Sequence, residues 1–140
     1  MDMEFMALLK ACRVGRGLAR IDELVRRMAG AVEEPRAFIE AALANRALCS
    51  LRWRGQTWLP LCQFAPGSWR PKAAVAQVIA ELSPALTPAA LCLWFCEPHP
   101  ALEGRAPWQL LESEPHAVHA AALSTFLALS TLAARNAPPR

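Results

Sequence analysis

Twelve prolines in 140 residues limit this chain more than any other feature. A proline fixes φ, lacks an amide hydrogen, and pushes the preceding residue out of the helical region. Here the prolines mostly stand between segments of apolar periodicity, at Pro35, Pro84, Pro88, Pro98, Pro100, Pro107 and Pro115 among others. The glycine count is only 6, so the breaks are stiff rather than loose. Such a chain folds into short helices held by rigid connections.

The helices follow from periodicity. Phe5, Leu8, Leu9 and Cys12 fall at helical spacing within residues 3–14, and Gly15 and Gly17 end that helix. Residues 20–31 form the next, with Ile21, Leu24, Val25 and Met28 on one face. Glu34-Pro35 opens a third, burying Phe38, Ile39, Ala42 and Leu43 and ending at Asn45 or Arg46. In the second half, residues 73–82 bury Val75, Val78, Ile79 and Leu82, and Thr87-Pro88 caps a helix through Cys96. Pro107 opens a short helix to Leu111. Ser113-Glu114-Pro115 caps a last helix to Arg135, and the tail 136–140 is expected to fray.

Between the helical halves the period changes. Residues 49–64 alternate apolar and polar around Arg54-Gly55-Gln56, which predicts a β-hairpin with Gly55 at positive φ. Leu51 and Trp53 then share a face with Trp58. Pro60 cannot donate a ladder hydrogen bond, so its strand is expected at a sheet edge. Residues 65–72 read as a linker. The fold class is mainly α. A three-helix plus hairpin, winged-helix-like region over 1–66 precedes a helical region over 73–135, and the two can form one compact unit.

Hydrophobic residues make up 54% of the chain, enough for a core. A net charge of +3 permits nucleic-acid contact without demanding it. Five cysteines cannot all pair, and the acidic start of the chain is unlike a signal peptide. A reducing cytoplasm with free thiols is the expectation. Residues 117–134 are weakly polar but poor in dense aliphatics and anchors, so a packed helix is expected rather than a membrane span.

No catalytic motif is present: there is no tyrosine, no glycine-rich phosphate loop and no G-x-S-x-G turn, so an enzyme is not expected. Cys92, Cys96 and His99 stand at i, i+4 and i+7 and would converge on a soft metal if the helix continued; Pro98 argues that it stops. A redox sensor built on Cys92 and Cys96 is a weaker alternative. His116 and His119 lack the glutamates of a carboxylate metal site. No metal or cofactor is therefore expected. For duplex DNA, Arg16 and Arg20 lie at the first inter-helix corner and Arg52 and Arg54 near the hairpin tip, where a wing meets the phosphate backbone. The third helix offers only Arg36 and Glu40 between Pro35 and Asn45 to read bases.

One corner stands out. Leu93-Trp94-Phe95 is followed by Pro98-x-Pro100-Ala101-Leu102, then Gly104-Arg105-x-Pro107, Leu110-Leu111, and Val118 and Ala121 in the last helix. This run resembles the carboxy-terminal toxin-binding domain of the Xre/MbcA/ParS antitoxin family over residues 73–130. It departs from that pattern at Glu103, where a glycine is usual, at Trp108 for leucine, and at Gln109 for an acid. The resemblance implies a helical module that docks a cognate protein, often a RES-type toxin that consumes NAD. Trp69, Glu103, Gly104, Arg105 and Trp108 are the expected contact residues, with Trp94 expected in the core. A homo-oligomer is compatible with this reading. Without the family, the corner has its own logic: Gly104 can adopt a left-handed conformation, and Arg105 can cap carbonyls or pair with Glu103 or Glu112.

Overall fold

The computed structural model describes residues 2–139. Met1, in the amino-terminal region, and Arg140, in the tail expected to fray, lie outside the described residues. The described chain is mainly α with one small sheet. In order it runs α1 (Asp2–Cys12), β1 (Leu18–Arg20), α2 (Ile21–Met28), α3 (Pro35–Ala44), β2 (Leu51–Trp53), β3 (Gln56–Pro60), α4 (Val75–Leu82), α5 (Pro88–Cys96) and α6 (Pro115–Arg135). Short 3-10 turns follow β3 and link α5 to α6.

Proline and glycine set the boundaries as periodicity requires. Pro35, Pro88 and Pro115 each occupy the first turn of a helix. The Thr87 hydroxyl accepts from the Ala90 amide at 3.2 Å, capping α5. Glu114, not Ser113, is the residue that precedes α6, and its side chain makes no capping bond. At the hairpin tip Arg54 and Gly55 both have positive φ, at 49° and 75°. That is the twist a two-residue loop needs to match its strands.

Three expectations are corrected. Residues 18–20 form an unexpected strand, and it takes Arg20, the expected start of the second helix: Leu18, Ala19 and Arg20 pair with Pro60, Leu59 and Trp58. Three residues are too few to show an alternating pattern. The sheet order is β1-β3-β2, so the strand that holds Pro60 is central, not an edge. Pro60 is tolerated because it is the last residue of β3, and the next amide, Leu61 N–H, donates to the Gly17 carbonyl at 2.9 Å. Residues 65–72 are not a free linker. They fold back so that Ala65 N–H donates to Arg70 O and Lys72 N–H to Gln63 O, each at 2.8 Å.

Two apolar clusters hold the fold. The smaller joins Leu24, Met28 and Ile39 of α2 and α3 to Ala19 and Leu59 of the sheet. The larger joins Phe5, Leu8 and Cys12 of α1 to Leu51 and to the carboxy-terminal helices through Val78, Phe95, Leu111 and Val118. Helix α1 thus packs on α5, and the amino-terminal helix completes the carboxy-terminal core. Trp53 stacks on Phe5 with ring centroids 4.0 Å apart, and its indole N–H donates to Asp2 at 2.8 Å. That bond holds the Asp2 carboxyl below its usual range. Between the clusters, Gln63 is 1% exposed. Its side-chain amide accepts from Cys49 N–H at 2.8 Å and donates to Cys49 O at 2.9 Å. One residue thereby satisfies both backbone groups of a buried partner.

Helix α6 corrects a fourth expectation. It is long and apolar enough to cross a membrane by length and composition. Only its first half is packed, through Val118, Ala121 and Ala122. Nearly every residue beyond Phe126 is exposed.

Candidate functional site

The proline-rich corner is built by its backbone. Helix α5 ends at Cys96, and Glu97 and His99 are extended. His99 N–H donates to Arg105 O at 3.0 Å, and His99 O accepts from Leu102 and Gly104. The loop closes only because Glu103 and Gly104 both adopt positive φ, 56° and 79°. Gly104 does so freely, whereas Glu103, which carries a side chain, is strained there.

His99 fixes this loop to the helices on either side. Its Nδ1 accepts from Ala101 N–H at 3.0 Å, and its Nε2 lies 2.9 Å from the Thr125 hydroxyl. Thr125 spends its one hydroxyl hydrogen on Ala121 O, at 3.0 Å, and accepts from Trp94 Nε1 at 3.0 Å. His99 must therefore donate from Nε2 and keep Nδ1 unprotonated. Burial lowers its pKa in the same direction. The histidine is a neutral bracket between α5, the corner and α6. The metal geometry conceived from Cys92, Cys96 and His99 does not form, because the helix ends before His99 and both ring nitrogens are engaged.

Arg105 caps Leu102 O from Nε at 3.2 Å and pairs with Glu114 at 3.1 Å. The partner is neither Glu103 nor Glu112, since Glu112 pairs with Arg70 at 3.2 Å. Trp108 is half-buried. Its carbonyl accepts from Lys72 Nζ at 3.1 Å, and that ammonium stands 5.2 Å from the indole centroid. Burial lowers the Lys72 pKa. Leu110 and Leu111 are buried and fasten the segment below.

An apolar groove of about 500 Å³ runs between this corner and α1. Ala7, Ala11 and Val14 form one wall; Pro98, Gly104 and Trp108 form the other, with Cys96 between them. Lys10 and Glu97 are the charged groups at its edge. Of the residues expected to contact a partner, Gly104 and Trp108 line the groove and Glu103 and Arg105 flank it in sequence. Trp69 belongs elsewhere. It packs edge-to-face on Phe64, centroids 5.4 Å apart, and borders a separate cavity with Val32 and Phe38. The α1 wall escaped sequence reasoning, because nothing local shows that α1 reaches a corner some ninety residues later.

The basic candidates are largely engaged within the chain. Arg16 donates to Phe64 O at 3.3 Å, and Arg20 lies 5.9 Å from the Trp58 ring centroid. Arg52 donates to Gly55 O and Thr57 across the hairpin, at 3.1 and 3.2 Å. Arg54 sits 4.5 Å above Trp53 and 3.5 Å from Asp2. The outer side of α3 presents Arg36, Ala37, Glu40, Ala41 and Ala44.

All five cysteines are free and buried. Cys92 contacts Cys49 at 3.5 Å, whereas Cys96 contacts Cys12 at 2.7 Å and Cys62 at 4.0 Å. The Cys92 and Cys96 thiols imagined as one redox centre therefore face different partners. Hydrogen bonding to Cys92 and burial push the Cys49 thiol up, and contact with Cys96 and burial do the same for Cys62. Cys96 is pushed up chiefly by its bond to Cys12. Among the described residues no group of three His, Cys, Asp or Glu side chains is arranged to hold a metal ion. His119 pairs instead with Glu81 of α4, at 3.3 Å, and His116 is exposed.

No family model, curated protein or solved structure matches the chain.

Proposed function

We propose that the protein is an interaction module of antitoxin type that docks a cognate protein in the groove between α1 and the proline-rich corner. The observation that carries this reading is the groove itself: about 500 Å³, apolar, with Trp108 in one wall. Tryptophan in a preformed apolar recess is a favoured anchor at protein interfaces. The walls are held before a partner arrives, by the His99–Thr125–Trp94 bracket on one side and α1 packing on the other. Pre-ordering reduces the entropy lost on docking. The resemblance of residues 73–130 to the toxin-binding domain makes a RES-type, NAD-consuming toxin the first partner to test.

The test places a photo-crosslinking side chain at Val14, on the groove rim, in the native host. One dominant heterologous adduct is expected, weakened at least about thirtyfold by Trp108→Ala, the size of a hot-spot loss, and retained in Trp69→Ala. An adduct with a RES-type toxin should accompany inhibition of its NAD consumption. Absence of any heterologous adduct, or an adduct indifferent to Trp108→Ala, refutes the reading.

A second reading has its own support. The element order α1-β1-α2-α3-β2-β3, with strands in the order β1-β3-β2, supports a winged-helix reading of the amino-terminal half, a unit that often binds duplex DNA. The alanine-rich outer side of α3 favours contact with the phosphate backbone over base reading. Steeply salt-dependent duplex binding lost in Arg52→Ala/Arg54→Ala supports it, and salt-independent or absent binding overturns it.

A further inference from the structure

The exposed side of α6 carries a different surface, whose reading does not depend on the groove. With 3.6 residues per turn, Ala120, Leu123, Leu127, Ser130 and Ala134 share one stripe, opposite the buried Val118, Ala121 and Ala122. Leu123 is 39% and Leu127 63% exposed. From Pro115 to Ala134 the helix holds no Asp, Glu, Lys or Arg. A solvated helix normally keeps a charged side outward, and this one turns an uncharged, leucine-bearing side outward instead.

We propose that α6 pairs antiparallel with α6 of a second copy of this chain across that stripe. The sequence is self-complementary in one register. Placing Leu123 against Leu127 of the second copy also sets Ala120 against Ser130 and His116 against Ala134. The same register brings Arg135, the basic residue of the last turn, to the Glu112–Pro115 end of the other helix, beside the exposed Glu112 and Glu114 carboxylates that already pair with Arg70 and Arg105. Small residues at 120, 130 and 134 within the stripe permit close approach, and antiparallel helix dipoles are mutually favourable. A two-fold contact needs this kind of self-matching patch. A membrane fits less well, because Val118, Ala121 and Ala122 and the His119–Glu81 pair tie the first half of α6 to the core. Insertion would require tearing that half away.

The test uses the full chain. Sedimentation from about 1 to about 200 µM should show monomer giving way to dimer. Leu127→Glu, at an exposed position, should weaken association at least about tenfold while leaving the helical circular dichroism unchanged. Orientation is read by oxidation after mixing Ala120→Cys and Ser130→Cys chains. These should cross-link to each other and neither to itself, since ten residues separate like positions by about 15 Å along the axis. Monomer throughout, association unaffected by Leu127→Glu, or self-linking of Ala120→Cys overturns the proposal. So does binding of the chain to lipid vesicles without self-association.

Discussion

Gly15 gives the sharpest measure of how the two halves meet. Its φ is not in the left-handed region, so it is not required for conformational freedom. A methyl group added there would lie 2.9 Å from Cys62 Cβ and 3.3 Å from Trp108 Cε2. The Cys62 Cβ is fixed to the 3-10 turn after β3 and cannot swing aside, so the backbone must move. Overpacking of this kind costs about 1–3 kcal/mol. Against it stands the usual gain of about 0.4–1 kcal/mol when alanine replaces glycine at a compatible position. Gly15→Ala should therefore destabilise by a net of roughly 1–2 kcal/mol, lowering Tm by about 3–7 °C for a chain of this length. Urea unfolding followed by tryptophan fluorescence measures the loss and reports on the Trp108 environment. Cys62→Ala in the same background should not restore stability, because alanine keeps the Cβ. Trp108→Leu should relieve only the lesser contact. If Gly15→Ala is neutral or stabilising, the turn after α1 does not abut Cys62 and Trp108, and the groove wall is misassigned.

Two further outcomes are expected. Gln63→Leu orphans the buried amide and carbonyl of Cys49, and at about 1–3 kcal/mol for each unsatisfied group it should cost about 2–6 kcal/mol in equilibrium unfolding; a loss under about 0.5 kcal/mol would contradict the paired bonds. For His99, burial lowers the folded pKa below the ordinary 6.5, so the unfolded chain binds the proton first as the solution is acidified. Stability should be full above the ordinary value and fall with pH until the folded pKa is passed. His99→Asn, which can still accept from Ala101, should flatten that part of the profile, and an unchanged slope would remove His99 from the bracket.

The helix positions and buried faces were legible because proline, capping and 3.6-residue periodicity act locally. Val75, Val78, Ile79 and Leu82 are the inward set of α4 and are all buried. The tight turn at Arg54-Gly55 was likewise local. The strand at Leu18–Arg20 was not, since its partner lies forty residues away and three residues leave no alternation to read. Nor was Pro60's place in a central strand, because that depends on β1 arriving beside it. At the corner, the sequence marked the left-handed Gly104 and the buried Leu110-Leu111 pair. It could not reveal that Thr125 and Ala121 would complete the bonding of His99 and Trp94.

What the sequence determined alone, then, is where the helices start and stop and which side of most of them is apolar, since neighbours along the chain decide both. Only the tertiary structure decided that α1 crosses to α5 and walls the corner into a groove, that the cysteines divide into separate contacts, and that half of α6 projects beyond the core. Each of these depends on which apolar surfaces meet. Hydrophobic attraction is non-directional, so periodicity names the buried face while shape and packing choose its partner.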